Sequence, residues 1–584
     1  MPVSLCDAFQ TTAAIDPSAV ALRTPDDAVT ITWGQYRDRV KAIASGLAAL
    51  GVGANDTVAL MLTNRPEFHL ADTAALHLGA IPFSIYNTSS PEQVRYILGN
   101  AESKVVITER AFLKTLRTSG AELGHIVCVD GHESETLSLN DVEHMQVPGF
   151  DFERTWRSVS ADDVATLIYT SGTTGDPKAV EITHANLLAQ LEAFDRILDI
   201  RFGDRTICYL PSAHIADRLA SHYTQITHGT QITEVADMST VADVVRDVQP
   251  TIFVAVPRIW DKMKFAVQNA IDEMPQRTRR RLAMRAVALS RRRVQLGQQG
   301  RQPGALAELL WRAADTIILR KIRSQLGFGQ LRWAMSGAAA VSTDTVEFFL
   351  ALGIPICEIW GMSETAGAAT SNPPQRIKIG TVGPALPGME LKLADDGEVL
   401  LRGPVIMRGY RNDPARTAEV LDDDGWLATG DVGTLDPDGY LTVVDRKKEL
   451  IINAAGKNMS PANIENAILT ACPVAATAVA IGNDRPYNVA LIVLDVATAG
   501  AVATQAGRPS SDVASLADDP AVRAAVEQGV AEGNSRLSRV EQIKRFRILP
   551  TVWSPGGDEL TPTMKLRRRV VEAKYAADIV RLYA

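Results

Sequence analysis

The sequence predicts an α/β protein built from a large first domain and a small second one. Three observations point there. Short apolar runs of strand length, "TVALML" (57–62), "VVITE" (105–109), "TIFVAV" (251–256) and "ALIVLD" (490–495), alternate with longer helical patterns. That alternation is the rhythm of layered α/β domains. The 584 residues exceed what a single core usually organises. Finally, the composition shifts at "VDRKKEL" (444–450), where every residue from 445 to 449 is charged. Helix and strand patterns then begin again. A boundary there gives a large domain over 1–447 and a small one over 448–584.

Composition narrows the class. With 46% hydrophobic and 22% charged residues, the chain reads as an ordinary globular protein. A net charge of −8 lacks the basic footprint of a nucleic-acid binder. The five cysteines (Cys6, Cys128, Cys208, Cys357 and Cys472) lie far apart with no CxxC, so the spacing signals neither a zinc site nor a disulfide framework. The first basic residue is Arg23, no charged leader precedes an apolar segment, and no apolar run reaches about 18 residues. A cytoplasmic protein is expected, with no transmembrane segment.

The stretch "YTSGTTGDPKAV" (169–180) cannot build a core. Tyr169 ends an apolar approach, and then Thr170, Ser171, Gly172, Thr173, Thr174, Gly175 and Lys178 offer hydroxyls, bare backbone and one positive charge. Glycines let backbone N–H groups approach a ligand, and the hydroxyls and lysine complete a cradle for phosphate oxygens. A solvent-facing turn has a similar composition. The pattern is not the common P-loop, because Pro177 precedes the lysine and Ala179 follows it.

A second segment, "QRTRRRLAMRAVALSRRRV" (276–294), carries eight arginines. Helical spacing puts Leu282, Ala286 and Leu289 on one face. The segment reads as a solvated helix face whose arginine stems pack, with a peripheral contact to an anionic membrane as the alternative.

Taken together, the motifs resemble the adenylate-forming superfamily of acyl-CoA synthetases, luciferases and peptide-synthetase adenylation domains. The glycine loop is followed in order by "SGAAA" (336–340), "WGMSET" (360–365), "GYRNDPARTAEVLDDDGWLATGD" (409–431), "DRKKELI" (445–451) and "LTPTMKLRRR" (560–569). The wording of "YLPSAHIADR" (209–218) and "VPRIWDKM" (256–263) is most similar to long-chain and bubblegum-type fatty acyl-CoA synthetases.

The resemblance implies layered α/β subdomains in the large domain and a mobile α+β small domain. It implies two half-reactions: a carboxylate attacks the α-phosphorus of ATP to give acyl-adenylate and pyrophosphate, then coenzyme A takes the acyl group and AMP leaves. The implied substrates are a fatty acid, ATP and coenzyme A, with Mg²⁺ as the metal. An acyl-AMP ligase that serves a carrier protein is the nearest alternative.

The same resemblance implies residue roles. Thr170 to Gly175 and Lys178 hold the triphosphate. Ser363 stands beside the α-phosphate, and Glu364 is a catalytic residue that binds Mg²⁺. Trp360 and Gly361, with the wall of Gly337, Ala338 and Ala339, border the adenine. Asp431 meets the ribose, and Arg446 the ribose or the phosphate. Lys565 is the catalytic lysine of the first step, His214 a gate between the two steps, and Lys448 the hinge. Two departures from the family pattern stand out. Ala179 replaces a usual glycine and is expected to narrow the loop's conformations, and Ala455 replaces a glycine in the turn facing the thiol path.

Overall fold

The computed structural model describes every residue except Met1, 171–175, 455–456 and 562–563. It divides into two compact units. The first comprises Met1–Leu391, Leu401–Leu427 and Asp436–Leu441. The second comprises Lys392–Leu400, Ala428–Leu435 and Thr442–Ala584.

Three sheets organise the first unit. The largest has eight strands, in the order Gly409–Tyr410, Lys178–Thr183, Val164–Thr170, Ile81–Ser84, Thr57–Met61, Val105–Thr108, His125–Cys128 and Leu137–Ser138. The six from Val164–Thr170 onward run parallel, while Lys178–Thr183 folds back antiparallel on Val164–Thr170. The parallel strands Thr57–Met61 and Val105–Thr108 are buried at every residue. Burial on both faces is why they read as continuous apolar runs.

A second sheet sets Ile252–Ala255, Trp333–Ser336 and Ile356–Trp360 side by side in parallel, with Thr370–Ser371 antiparallel at its edge. The third aligns Arg205–Cys208, Gln231–Glu234 and Val20–Arg23 in parallel, with Thr30–Thr32 antiparallel.

The arginine-rich segment forms the helix Arg277–Gln298. Its buried face is Ala283, Ala286 and Ser290, not Leu282, Ala286 and Leu289. Leu282 is 54% exposed. The physical reason is close approach. Small residues let this helix lie against Thr343–Ala351, where Arg291 bonds to Glu347 at 2.9 Å and also pairs with Asp344.

The second unit is α+β. Ala475–Ile481, Asn488–Leu494 and Ile543–Leu549 form a three-stranded sheet. The helices Pro461–Ala471 and Pro520–Ser535 cover one face through Ile464, Ile468, Val522 and Val526. The strands Glu398–Arg402, Leu427–Leu435 and Leu441–Arg446 lie side by side in a separate sheet. Each cysteine is a free, buried thiol. Among the described residues, no helix is long and apolar enough to cross a membrane.

Candidate active site

In the first unit the expected residues gather at the carboxyl ends of parallel strands, where open α/β sheets place their ligands. Val164–Thr170 ends where the glycine-rich motif begins, and Lys178 starts the returning strand, with Thr170 paired to Lys178. Ser171, Gly172, Thr173, Thr174 and Gly175 lie outside the described residues. Ala179 pairs with Tyr169 inside the ladder and is buried. Its methyl group belongs to the core rather than to the loop.

Gly337 and Ala338 follow the strand Trp333–Ser336, and Trp360 ends the neighbouring Ile356–Trp360. Two glycines are sterically required here. A Cβ on Gly337 would come 2.7 Å from Ile359 Cγ2, and one on Gly361 would come 2.5 Å from the Gly367 carbonyl oxygen. Ala338 takes a left-handed conformation at φ 67° and is exposed. The backbone therefore packs closely against its neighbours at Gly337 and Gly361.

Ser363–Thr365 is one turn of 3-10 helix that presents Glu364. The Glu364 carboxylate is buried and accepts a hydrogen bond from the Tyr410 hydroxyl at 2.8 Å. Lys178 Nζ lies 4.6 Å from the centre of the same tyrosine ring. Tyr410 thus brings the glycine-loop lysine and Glu364 to one place. The strand Gly409–Tyr410 is fixed against Lys178–Thr183, with Tyr410 opposite Val180. Among these three side chains, Glu364 alone could ligate a hard divalent cation. Glu364 offers carboxylate oxygen, and Mg²⁺ commonly takes one or two protein carboxylates while keeping several waters.

His214 caps the short helix Ile215–Asp217, its Nδ1 accepting from the Ala216 N–H at 3.0 Å. It is half-buried.

In the second unit, Asp431 is buried in Leu427–Leu435, and Arg446 ends Leu441–Arg446. Arg446 Nε lies 2.7 Å from Asp431 Oδ1, so Asp431, expected at the ribose, and Arg446, expected at the ribose or the phosphate, form an ion pair. Lys448 is exposed in the turn after Arg446, closed by the Glu449 N–H donating to the Arg446 carbonyl at 3.0 Å. Lys565 is exposed on the loop between Leu560 and Leu566, which are joined by an isolated β-bridge.

Residues 9–411 match the AMP-binding enzyme family, and residues 448–584 match the AMP-binding enzyme C-terminal domain. The chain belongs to the AMP-binding enzyme family. FadD11 of Mycobacterium tuberculosis (strain ATCC 25618 / H37Rv), named as a fatty-acid–CoA ligase, is 54% identical over 451 residues, covering 77% of this chain and 79% of its own. The long-chain-fatty-acid–CoA ligase FadD15 of the same strain is 35% identical over 582 residues, covering 97% and 95%. The crystal structure of the anthranilate CoA ligase AuaEII in complex with anthranoyl-AMP matches with a TM-score of 0.74 at 21% identity, covering 99% of each chain. That last likeness is one of fold.

Two features of this AMP-binding enzyme escaped the sequence reading. One is Tyr410, which looks like any strand aromatic although it stands in the "GYRND" motif. The other is a fully buried polar chain beneath His214. Arg218 donates to Asp72 at 2.6 Å, to the Ser212 carbonyl, to the Tyr223 hydroxyl and to Ser84, the last three each at 3.0 Å. Asp72 continues to His222 at 2.9 Å, His222 to His69 at 2.8 Å, and His69 to Glu234 at 2.6 Å. Burial opposes the Asp72 charge, but the Arg218 guanidinium and His222 outweigh it and hold the carboxyl below its ordinary range. Burial likewise lowers His222 to about 4.

The bond from Arg218 to the Ser212 carbonyl braces the segment that carries His214. Arg218→Met should therefore cost about 3–5 kcal/mol, because it strands a buried carboxylate. Asp72→Asn combined with Arg218→Met should recover part of that loss. Urea unfolding of the three variants measures both. A loss under about 1 kcal/mol for Arg218→Met would show that the network is not structural.

Proposed function

We propose that this enzyme is an ATP-dependent fatty acid–CoA ligase. The carboxylate oxygen bonds to the α-phosphorus of ATP as pyrophosphate leaves, giving acyl-AMP. The thiol sulfur of coenzyme A then bonds to the acyl carbon, AMP leaves and the thiol proton is released. The observation that carries the reading is Tyr410 between Lys178 and Glu364. An anion-binding lysine beside an anchored carboxylate suits a metal-bound polyphosphate better than a metal-free anion. Near-full-length similarity to a named long-chain-fatty-acid–CoA ligase supports the acyl substrate and the CoA acceptor.

In this reading Thr170, Lys178 and the loop between them hold the β- and γ-phosphates, and Ser363 donates to the α-phosphate. Trp360, Gly361, Gly337 and Ala338 border the adenine, and Asp431 with Arg446 takes the ribose. Mg²⁺ at Glu364 would neutralise polyphosphate charge. Lys565 serves the adenylation step, His214 gates the acyl path and Lys448 is the hinge between domains at 447/448. Pyrophosphate release across a fatty-acid chain-length series, with and without CoA, tests the proposal. Release that needs ATP and fatty acid, with thioester formed only when CoA is added, is expected. Acyl-AMP that never passes to CoA would favour a carrier-protein acceptor.

The metal role has its own test. Glu364→Gln keeps an oxygen for the Tyr410 hydroxyl but removes the charge that attracts the cation. The Mg²⁺ concentration for half-maximal adenylation should rise about tenfold or more, with a lower maximal rate. An unchanged Mg²⁺ titration would place the metal elsewhere.

A further inference from the structure

We propose that the solvent-facing side of the helix pair Arg277–Gln298 and Ala305–Ala314 is a docking surface for an anionic lipid bilayer.

The helix Ala305–Ala314 buries none of its residues. Leu306 is 71% exposed, Leu309 65%, Leu310 53% and, in the turn that follows, Ile317 63%. Spacings of three and four put Leu306, Leu309, Leu310 and Ala313 on one face. The opposite face is firmly held. Trp311 Nε1 donates to Ser290 Oγ at 3.0 Å, the Arg293 guanidinium lies 3.9 Å from the Trp311 ring centre, and Arg293 bonds to Glu308 at 3.1 Å. The apolar stripe is thus presented by a helix docked through its other side. An amphipathic helix that leaves its apolar face in water lacks an occupant.

Charge selects the occupant. The helix Arg277–Gln298 contains eight arginines and no acidic residue. Arg291 pairs with Asp344 and Glu347, and Arg293 with Glu308. Among the described residues, Arg277, Arg279, Arg281, Arg285 and Arg292 have no carboxylate in reach, and all five are exposed. Arg281, Arg285 and Arg292 lie on the side away from the buried Ala283, Ala286 and Ser290. Leu282 and Met284 are exposed among them at 54% and 52%. Exposed arginines beside exposed leucines, on a chain of net charge −8, match a surface that is anionic outside and apolar beneath. A second copy docking through the same face would set these arginines against their own counterparts. The contact proposed is with the bilayer surface; among the described residues no helix is long and apolar enough to cross it.

The test is sedimentation of the full chain with phosphatidylcholine vesicles and with mixed phosphatidylcholine/phosphatidylglycerol vesicles, at low and high salt. Binding to the mixed vesicles alone, weakened by salt, is expected. Leu306→Gln with Leu310→Gln should lower vesicle partition about tenfold or more, and Arg281→Gln, Arg285→Gln and Arg292→Gln together about a hundredfold. Circular dichroism and pyrophosphate release in solution should stay at wild type for both variants, which separates this inference from the ligase assignment. No binding by wild type, equal binding to both vesicle types, or variants that bind like wild type would overturn it. So would a wild-type dimer that the leucine variant dissociates with vesicle partition unchanged.

Discussion

Alanine at Lys565 is expected to cut acyl-adenylate formation by about 10²–10³-fold, the usual cost of losing one preorganised donor to a developing charge. Thioester formation from preformed acyl-adenylate and CoA should stay near wild type. The Thr561 N–H donates to the Lys565 carbonyl at 2.8 Å, the Lys565 N–H to Thr561 Oγ1 at 3.0 Å, and the Met564 N–H to the Thr561 carbonyl at 2.9 Å. On the Lys565 side these bonds use its backbone N–H and carbonyl, which alanine retains. In the first half-reaction two anions meet, a carboxylate and a triphosphate, so a mobile positive charge has most to stabilise there. The second half-reaction attacks a carbonyl after pyrophosphate has gone. Both rates are measured separately, one from fatty acid and ATP, the other from synthetic acyl-adenylate. Equal damage to the two would refute the role.

The α/β character was legible because parallel strands buried on both faces read as unbroken apolar runs, as Thr57–Met61 does. The helix Arg277–Gln298 was legible as a helix but not in its orientation. Leucines attract an amphipathic reading, whereas the actual contact uses Ala283, Ala286 and Ser290, which permit close approach. The composition of the second unit was hidden for another reason. Lys392–Leu400 and Ala428–Leu435 join it through contacts with partners distant in sequence, which no local pattern announces. At the candidate site, Lys178 and Glu364 stood out by motif. Their meeting through Tyr410 depends on a two-residue strand pairing with Lys178–Thr183 far earlier in the chain. Arg218 was invisible as a core residue because its partner Asp72 lies 146 positions away. The motif marks which groups do chemistry, but long-range pairing decides what holds them.

Lys448→Pro is the substitution expected to separate the two half-reactions most sharply. If Lys565 is needed only for adenylation, it has to leave before the thiol can reach the adenylate. A small domain turning on a short hinge meets both needs, since a few backbone torsions absorb a large rotation. Lys448 is exposed in the turn closed by the bond from the Glu449 N–H to the Arg446 carbonyl. It occupies the third position of that turn, where proline is disfavoured because it pushes the preceding residue out of the right-handed helical region. Proline there also fixes φ near −65°, so the segment loses one of its settings. Adenylate formation is expected to persist while thioester formation collapses by about 10²-fold or more, as for other gating steps that complete a site. Lys448→Ala, which leaves the torsions free, should be mild in both assays. Retained adenylation serves as the folding control for the proline variant. If that variant forms thioester at the wild-type rate, the bending point lies elsewhere, and the contact-defined boundary at Thr442 becomes the next candidate.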